Sequence, residues 1–153
     1  MLGPTFVEGE TDTAIPALVS EASGVILELG PGIGNQLPRY NGSRITKVFG
    51  VEPNEALHRS LRGKIKACGL TDVYEIVPCG IENVVELEKH GIVFNSMDTI
   101  LSIQVLCSVP NLEETLRRLY ALMKPGGQLV MYEHVKSTDI LSAIVQSMCW
   151  FPH

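Results

Sequence analysis

Several classes of protein are excluded by what this sequence has little of. Its 12 lysines and arginines are outnumbered by 17 aspartates and glutamates, and the formal charge at pH 7 is -5. The net negative charge of the chain would repel nucleic-acid phosphates and oppose sequence-independent binding to them, so we expect no nucleic-acid partner. The longest uncharged apolar stretch, residues 140–152, is well short of the roughly 20 residues that cross a bilayer. We therefore expect no transmembrane span.

The cysteines lack the spacing of a metal site. They form no Cys-x-x-Cys pair and have no histidines at zinc-finger spacing, so we expect no metal. The sequence also lacks the basic and apolar segments of a signal peptide at its N-terminus. We expect a cytoplasmic protein with reduced, mostly buried thiols. Cys107 could be considered as a nucleophile, but its apolar surroundings in the sequence predict a buried side chain. The four cysteines are Cys68, Cys79, Cys107 and Cys149.

What is present predicts one α/β domain over residues 1–153. A hydrophobic share of 45% is enough for a real core, and domains commonly contain about 100 to 200 residues. Short apolar runs rich in β-branched residues alternate with helical patterns, which is typical of a parallel sheet flanked by helices. The five predicted strands are Val25–Leu29, Lys47–Glu52, Val73–Pro78, Thr99–Ile103 and Gln128–His134.

Two helices are clearest in the pattern. The first spans residues 54–69, and the second follows a capping arrangement of Asn111 and Glu114 and ends at Lys124-Pro125-Gly126-Gly127. The apolar periodicity predicts which side chains each helix buries. For the first helix these are Leu57, Leu61, Ile65 and Cys68, and for the second Leu112, Leu116, Leu119 and Met123.

The most informative segment is VILELGPGIGN, residues 25–35, where a buried strand runs into glycines at alternate positions: Gly30, Gly32 and Gly34. Such glycines let the backbone turn sharply and let a ligand approach closely. A dinucleotide fingerprint would need glycine at position 35, which is Asn35, so a nicotinamide cofactor is disfavoured. No Lys-Ser or Lys-Thr follows the turn, so a P-loop is disfavoured too.

The turn, read as E-x-G-x-G-x-G from Glu28, resembles the class I S-adenosylmethionine-dependent methyltransferases. Four further segments agree with that family in order and spacing: GVEPN (50–54), PCGIEN (78–83), MDTILSIQVLCSVP (97–110) and LMKPGGQLVMYEHV (122–135). The resemblance covers residues 25–135. It implies a Rossmann-like sheet of five parallel strands, S-adenosylmethionine as cofactor, and methyl transfer as the activity.

The resemblance also implies cofactor-binding residues. Glu28 would orient the methionine end of the cofactor, or it is merely a charged strand end; Glu52 would accept hydrogen bonds from the ribose hydroxyls, or it is solvated. Ile81 would pack on adenine, or it is ordinary core. The catalytic residue is unknown, and His134 is a weak candidate for a general base. The full set of implied cofactor-binding residues is Glu28, Gly30, Pro31, Gly32, Gly34, Asn35, Glu52, Pro53, Gly80, Ile81, Glu82, Ser102 and Gln104.

Within the family, GNQLPRYNGSRIT, VLCSVPN and YEHV look most like the methyltransferase-like 7 group of small-molecule and thiol methyltransferases. The usual antiparallel strand pair after the fifth strand is expected to be absent, and residues 136–153 are predicted to form an apolar helix that invites self-association or a partner subunit. Two functions remain open: a methyltransferase acting on a small molecule, and a truncated cofactor-binding module without activity. A third alternative, a nicotinamide oxidoreductase, is disfavoured because Asn35 stands where the dinucleotide fingerprint needs glycine.

Overall fold

The structure is a computed structural model, and it describes residues 10–133. Nine helices and strands follow one another in this part of the chain, as the alternation in the sequence predicts. They are α1 (Ile15–Glu21), β1 (Gly24–Leu29), β2 (Ile45–Val51), α2 (Glu55–Ala67), β3 (Tyr74–Val77), α3 (Val84–Lys89), β4 (Met97–Ile103), α4 (Leu112–Leu122) and β5 (Met123–Tyr132). Short 3-10 turns occupy Leu37–Arg39, Gly42–Arg44 and Leu106–Ser108.

The strands form one parallel sheet in the order β3-β2-β1-β4-β5. The prediction of five parallel strands flanked by helices is confirmed. Because β1 lies in the middle and the order reverses beside it, the carboxyl ends of β1 and β4 bound a topological switch point. Ligands of open α/β sheets bind at that position.

Each face of the sheet has its own apolar core, which explains why the strands read as continuous apolar runs. On one face, Leu27, Phe49 and Ile100 pack with Leu87 of α3 and Leu119 of α4. On the other face, side chains of α1 and α2 pack against the alternate strand positions; this core includes Ile15, Val19, Ile26, Val48, Leu61, Ile65 and Leu101. Glu28 belongs to the second face by alternation and is buried there.

Several predicted details differ from the structure. In α2 the buried side chains are His58, Leu61 and Ile65, while Leu57 is only half-buried. In α4 they are Thr115, Leu119 and Leu122, and Leu112 and Leu116 are 50% and 37% exposed. The predicted and the observed stripe of α4 share Leu119 and differ by a small rotation of the helix. The buried stripe includes the polar Thr115, which an apolar pattern does not select.

The predicted strand and helix ends shift by a few residues. β2 begins at Ile45, and β5 begins at Met123, so the Lys124–Gly127 segment lies in the strand beside a register shift opposite Met97 and Thr99. Asn111 does cap α4, since its side chain accepts a hydrogen bond from Glu114 N at 3.1 Å. The predicted C-terminal helix and its role in self-association, the predicted absence of the antiparallel pair, and His134 and Cys149 concern residues outside the described range.

Between β1 and β2 the chain forms turns and two 3-10 segments, with no α-helix in residues 30–44. Nucleotide phosphates are commonly bound at the N-terminus of a helix that opens directly after a glycine-rich turn. This turn opens no such helix. The structure therefore adds a second argument against a dinucleotide or P-loop site.

Candidate functional site

Gly30 and Gly32 of the turn after β1 share a left-handed backbone conformation but differ in the space around them. Gly30 and Gly32 have φ of 57° and 58°, in the left-handed region that favours glycine. A Cβ on Gly30 would collide with the side chain of Val105, which follows β4, whereas a Cβ on Gly32 would meet no atom within 4 Å. Gly30 is therefore a packing contact, and Gly32 presents bare backbone to open space.

Gly34 serves a different purpose from the other two. Its own added Cβ would come within 3.1 Å of Leu61 on α2. The missing side chain lets the turn pack closely against that helix. Gly34 lies outside the lining of both cavities described below.

Glu52 follows β2 and is held by backbone groups on both sides. Gly32 N donates to its Oε2 and Asn54 N donates to its Oε1, both at 2.9 Å. Its backbone carbonyl accepts a hydrogen bond from His58 Nε2 at 2.8 Å, since a carbonyl oxygen can only accept. The carboxylate is almost completely buried, and this arrangement fixes its orientation toward the cavity beside the turn.

A cavity of about 470 Å³ lies beside Glu52 at the carboxyl ends of β1, β2 and β3. Its volume falls in the range of small-molecule sites. Apolar side chains face the carboxylate across it. The lining residues are Leu29, Gly30, Val51, Glu52, Pro53, Asn54, Leu57, Gly80, Ile81, Glu82, Gln104, Val105, Ser108, Val109 and Pro110.

Glu28 is bonded by side chains from two distant parts of the chain. Tyr74 Oη of β3 and Tyr40 Oη both donate to its Oε2, at 2.7 Å and 3.0 Å. Tyr74 reaches it by crossing β2 above Gly50, where a Cβ would collide with the phenol. Burial raises the pKa of Glu28 to about 7, and the two hydroxyl hydrogen bonds offset only part of that effect.

A second, smaller cavity of about 160 Å³ lies on the Glu28 side of the turn. Its polar wall includes Glu10, which forms an ion pair with Arg39 at 2.7 Å and accepts a hydrogen bond from Gln36. The lining residues are Glu10, Glu28, Leu29, Gly30, Pro31, Gly32, Ile33, Asn35, Gln36, Leu101, Ile103 and Gln104. The two cavities share Leu29, Gly30 and Gln104, so they meet at the glycine turn.

The structure brings most of the residues implied by the sequence together around these cavities. The small cavity collects Glu28, Gly30, Pro31, Gly32, Asn35 and Gln104. The large one collects Gly30, Glu52, Pro53, Gly80, Ile81, Glu82 and Gln104. Ser102 lies outside both linings, because it is fully buried and its hydroxyl donates to Glu133 at 2.7 Å. The candidate base His134 lies beyond the described part of the chain.

Sequence reasoning missed several residues that shape the site. These residues are Glu10, Gln36, Tyr40 and Tyr74, and their roles depend on contacts between parts far apart in the chain. His58 belongs to no motif in the sequence, yet it anchors the backbone of Glu52. Two signals were available in the sequence: a glycine within the β2 strand pattern and an aromatic residue at the start of β3.

The cysteines in the described part of the chain differ in burial. Cys79 is buried and burial raises the pKa of its thiol, but Cys107 is exposed, which makes the expectation that it is buried wrong. Cys107 lies in the 3-10 turn after β4, whose apolar sequence had suggested core. Within residues 10–133 no group of three or more His, Cys, Asp or Glu side chains could hold a metal ion, and no helix is long and apolar enough to cross a membrane.

The fold and the site together define an α/β domain with two cavities that meet at a glycine turn. A family model described as a methyltransferase domain matches residues 6–152. The chain therefore belongs to this methyltransferase domain family, and its identification as a class I methyltransferase domain is confirmed.

Curated relatives differ in the acceptors that their names state. The chain is 33% identical over 110 residues to 24-methylenesterol C-methyltransferase 2 of Arabidopsis thaliana, covering 72% of this chain and 29% of that protein. It is 31% identical over 111 residues to the human thiol S-methyltransferase TMT1A, covering 72% and 42%. It is 32% identical over 116 residues to a tRNA U34 carboxymethyltransferase of Idiomarina loihiensis, covering 74% and 34%. The chain thus spans less than half the length of each of these relatives.

Solved structures agree on the fold. A SAM dependent methyltransferase from Aquifex aeolicus aligns with a TM-score of 0.60 at 18% identity, covering 84% of this chain and 71% of that one. This likeness supports the Rossmann-like class I sheet that the sequence motifs predict.

Proposed function

We propose that this chain binds S-adenosylmethionine at the junction of the two cavities and transfers its methyl group to a small-molecule acceptor. The observation that carries the proposal is the placement of Glu52 in the large cavity, next to a glycine turn whose bare backbone at Gly32 faces open space. Membership of the methyltransferase domain family and the names of the relatives support it.

The residues of the large cavity fit the nucleoside part of this cofactor. Each oxygen of Glu52 accepts one backbone N–H, and each has a second lone pair for a ribose hydroxyl. Leu57, Ile81 and Val109 offer apolar surface suited to the adenine ring. Gly80 and Glu82 lie on the same wall.

The chain's contribution to the reaction is chiefly orientation. S-adenosylmethionine supplies a methyl group that is already activated on a sulfonium, so no metal or covalent enzyme intermediate is needed. The turn residues and Gln104 would hold the reacting centres in line and exclude water between the two cavities. An acceptor held in line would form its new bond to the methyl carbon as the carbon–sulfur bond breaks, and its proton would leave to solvent or to a nearby base. For a thiol acceptor with a pKa near 8.5, some thiolate is present at neutral pH without a dedicated base.

A small acceptor fits the Glu28 side of the turn better than a polynucleotide does. The small cavity has a volume of only about 160 Å³, and the chain carries a net negative charge. Both features disfavour a phosphate backbone. A thiol or hydroxyl compound is the acceptor class we propose, and the thiol S-methyltransferase among the relatives supports it.

Cofactor binding is tested by calorimetric titration with S-adenosylhomocysteine, S-adenosylmethionine and NAD. We expect both S-adenosyl compounds to bind and NAD not to bind. Glu52→Ala should weaken binding by about 1.5 to 3 kcal/mol, the range for hydrogen bonds to a charged group. Glu55→Ala, which removes the same charge from an exposed position on α2, is the matched control and should bind normally. Binding of NAD alone would overturn the proposal.

The acceptor class is tested separately, by following methyl transfer from labelled cofactor to small thiols, to phenols and to unmodified tRNA. Transfer to a small compound supports the proposal. Transfer to tRNA alone would contradict the acceptor class, and binding without transfer to any acceptor would favour the non-catalytic cofactor-binding module.

A further inference from the structure

Glu133, the residue directly after β5, makes three hydrogen bonds with the end of β4. Its Oε1 accepts from Ser102 Oγ at 2.7 Å and from Val105 N at 3.2 Å, and its Oε2 accepts from Leu106 N at 3.2 Å. One carboxylate thus ties down a buried hydroxyl and two successive backbone groups. Neither cavity is lined by Glu133 itself.

The segment that Glu133 holds contains a strained residue. Gln104 has φ of 57°, a left-handed conformation that residues other than glycine rarely adopt. Such a conformation persists only where the surroundings impose it. Here the constraints are the hydrogen bond from Gln104 N to Tyr132 O at 2.8 Å and the carboxylate of Glu133 on the next two residues.

The same segment meets the glycine turn. Val105 occupies the space that a Cβ of Gly30 would need, and Gln104 lines both cavities. The position of Val105 N therefore sets how closely the β4 segment approaches the turn, at the point where the two cavities join.

We propose that Glu133 is a positioning residue that holds Gln104 and Val105 against the glycine turn and so sets the shape of the cavity junction. Its carboxylate acts through these residues and not on a ligand directly. The inference rests on the proposed function in one respect only: it assumes that the ligand bound at the junction is the S-adenosyl cofactor.

The test compares Glu133→Ala, Glu133→Gln and the wild-type chain. In the ligand-free protein, two-dimensional NMR should show that the amide signals of Val105 and Leu106 move upfield and exchange faster with solvent in Glu133→Ala. Titration with S-adenosylhomocysteine should show binding weakened by about tenfold, because the free variant would populate the binding arrangement of Gln104 and Val105 only in part. Glu133→Gln keeps one acceptor oxygen and should recover most of the affinity, to within about fivefold of wild type. Glu88→Gln, on the exposed surface of α3, is the charge control.

The outcomes separate the two proposals. Unchanged Val105 and Leu106 amides in Glu133→Ala would overturn the positioning role, whether or not any ligand binds. Changed amides with unchanged affinity would overturn the link between this segment and the site. A wild-type chain that binds no S-adenosyl compound would overturn the proposed function, while the amide signals would still decide whether Glu133 holds the segment. If Glu133→Ala does not fold, Glu133→Gln decides: it must shift the Leu106 amide, since an amide group leaves only one oxygen to share among three donors.

Discussion

The two sides of the glycine turn hold their glutamates in different ways. Glu52 is bonded by the backbone N–H groups of Gly32 and Asn54, which lie close to it in the turn and in the chain. Glu28 is bonded by the hydroxyls of Tyr40 and Tyr74, which come from a connecting segment and from a strand two positions away in the sheet. Both carboxyl groups are buried, but only one of them is held by the backbone.

This difference has consequences for chemistry. Backbone N–H groups fix a carboxylate wherever the main chain folds correctly, so the orientation of Glu52 depends little on other side chains. Glu28 depends on two phenols and on the missing side chain of Gly50. Its pKa is raised to about 7, so its charge at neutral pH is partial and responds to small changes nearby.

The largest effect is expected where the two sides meet, in Gly30→Ala. A Cβ there collides with Val105 and also requires a left-handed residue, so overpacking and backbone strain add. We expect the free energy of unfolding to fall by about 2 to 5 kcal/mol, measured by urea denaturation.

Gly32→Ala is the matched comparison for that variant. It has nearly the same φ but open space around its Cβ. Its stability should fall by only about 1 to 2 kcal/mol, from strain alone, while its affinity for S-adenosylhomocysteine should fall sharply. Equal losses of stability in the two variants would show that the contact between Gly30 and Val105 is not a tight one.

The second effect is a pH dependence of the free energy of unfolding that the ionisation of Glu28 causes. Its pKa rises from the ordinary value of 4.5 in the unfolded chain to about 7 in the folded one. The folded state therefore binds this proton more tightly, and stability is fully present below about pH 4.5 and is lost as pH rises through 7. The loss is about 3 kcal/mol by pH 8, on the order of 1.4 kcal/mol for each unit of pKa.

Glu28→Gln isolates this contribution, because the amide oxygen still accepts from the tyrosines but does not ionise. Urea denaturation from pH 5 to pH 8.5 should show the stability of the variant, relative to wild type, rising across this window. If the difference in unfolding free energy between the two proteins did not change over this pH range, the carboxyl group of Glu28 would titrate in its ordinary range. Glu75 and Asp98, whose pKa values are lowered by Lys47 and Lys124, change mainly at lower pH and are common to both proteins.

The contrast between the two glutamates also explains what the sequence could predict. Strands buried on both faces give apolar runs, and the backbone turn at Gly30 and Gly32 dictates glycine, so the sheet and the position of Glu52 follow from local pattern and spacing. The large cavity collects the predicted residues for the same reason, since the carboxyl ends of parallel strands meet at one edge.

The rest depends on contacts that no local pattern encodes. Tyr74 reaches Glu28 only because β3 and β1 lie on either side of Gly50, and that requires the strand order. Ser102 was expected near the cofactor from its place at the end of β4, but its hydroxyl is engaged by Glu133, which no local pattern in the sequence indicates. The prediction of the buried face of α4 was wrong by a small rotation of the helix, because the stripe that the structure buries includes the polar Thr115.

The third effect concerns the support of Glu28 by Tyr74. Tyr74→Phe keeps the ring over Gly50 and removes the hydroxyl that donates at 2.7 Å. We expect a loss of about 1 to 3 kcal/mol at pH 8, the cost of a missing partner for a buried charged group. Because this hydrogen bond lowers the pKa of Glu28, the variant should also titrate at higher pH than wild type. Tyr120→Phe, at a hydroxyl that is largely exposed, serves as the control, and a similar loss there would point to a general effect of the substitution.

The smallest effect sharpens the claim that Glu52 is held by the backbone. The side chain of Asn54 caps α2 by accepting from Ala56 N at 3.1 Å, while its backbone N–H donates to Glu52. Asn54→Ala removes the cap and keeps the backbone donor, so the free energy of unfolding should fall by about 1 kcal/mol. Affinity for S-adenosylhomocysteine should fall by no more than about threefold, because Glu52 keeps both of its partners.

Asn111→Ala is the control: it removes the corresponding cap from α4 and should lose similar stability with unchanged affinity. A tenfold loss of affinity in Asn54→Ala, with none in Asn111→Ala, would mean that the asparagine side chain itself is needed to hold Glu52 or the ligand, and the contrast between backbone and side-chain support would fail at that position.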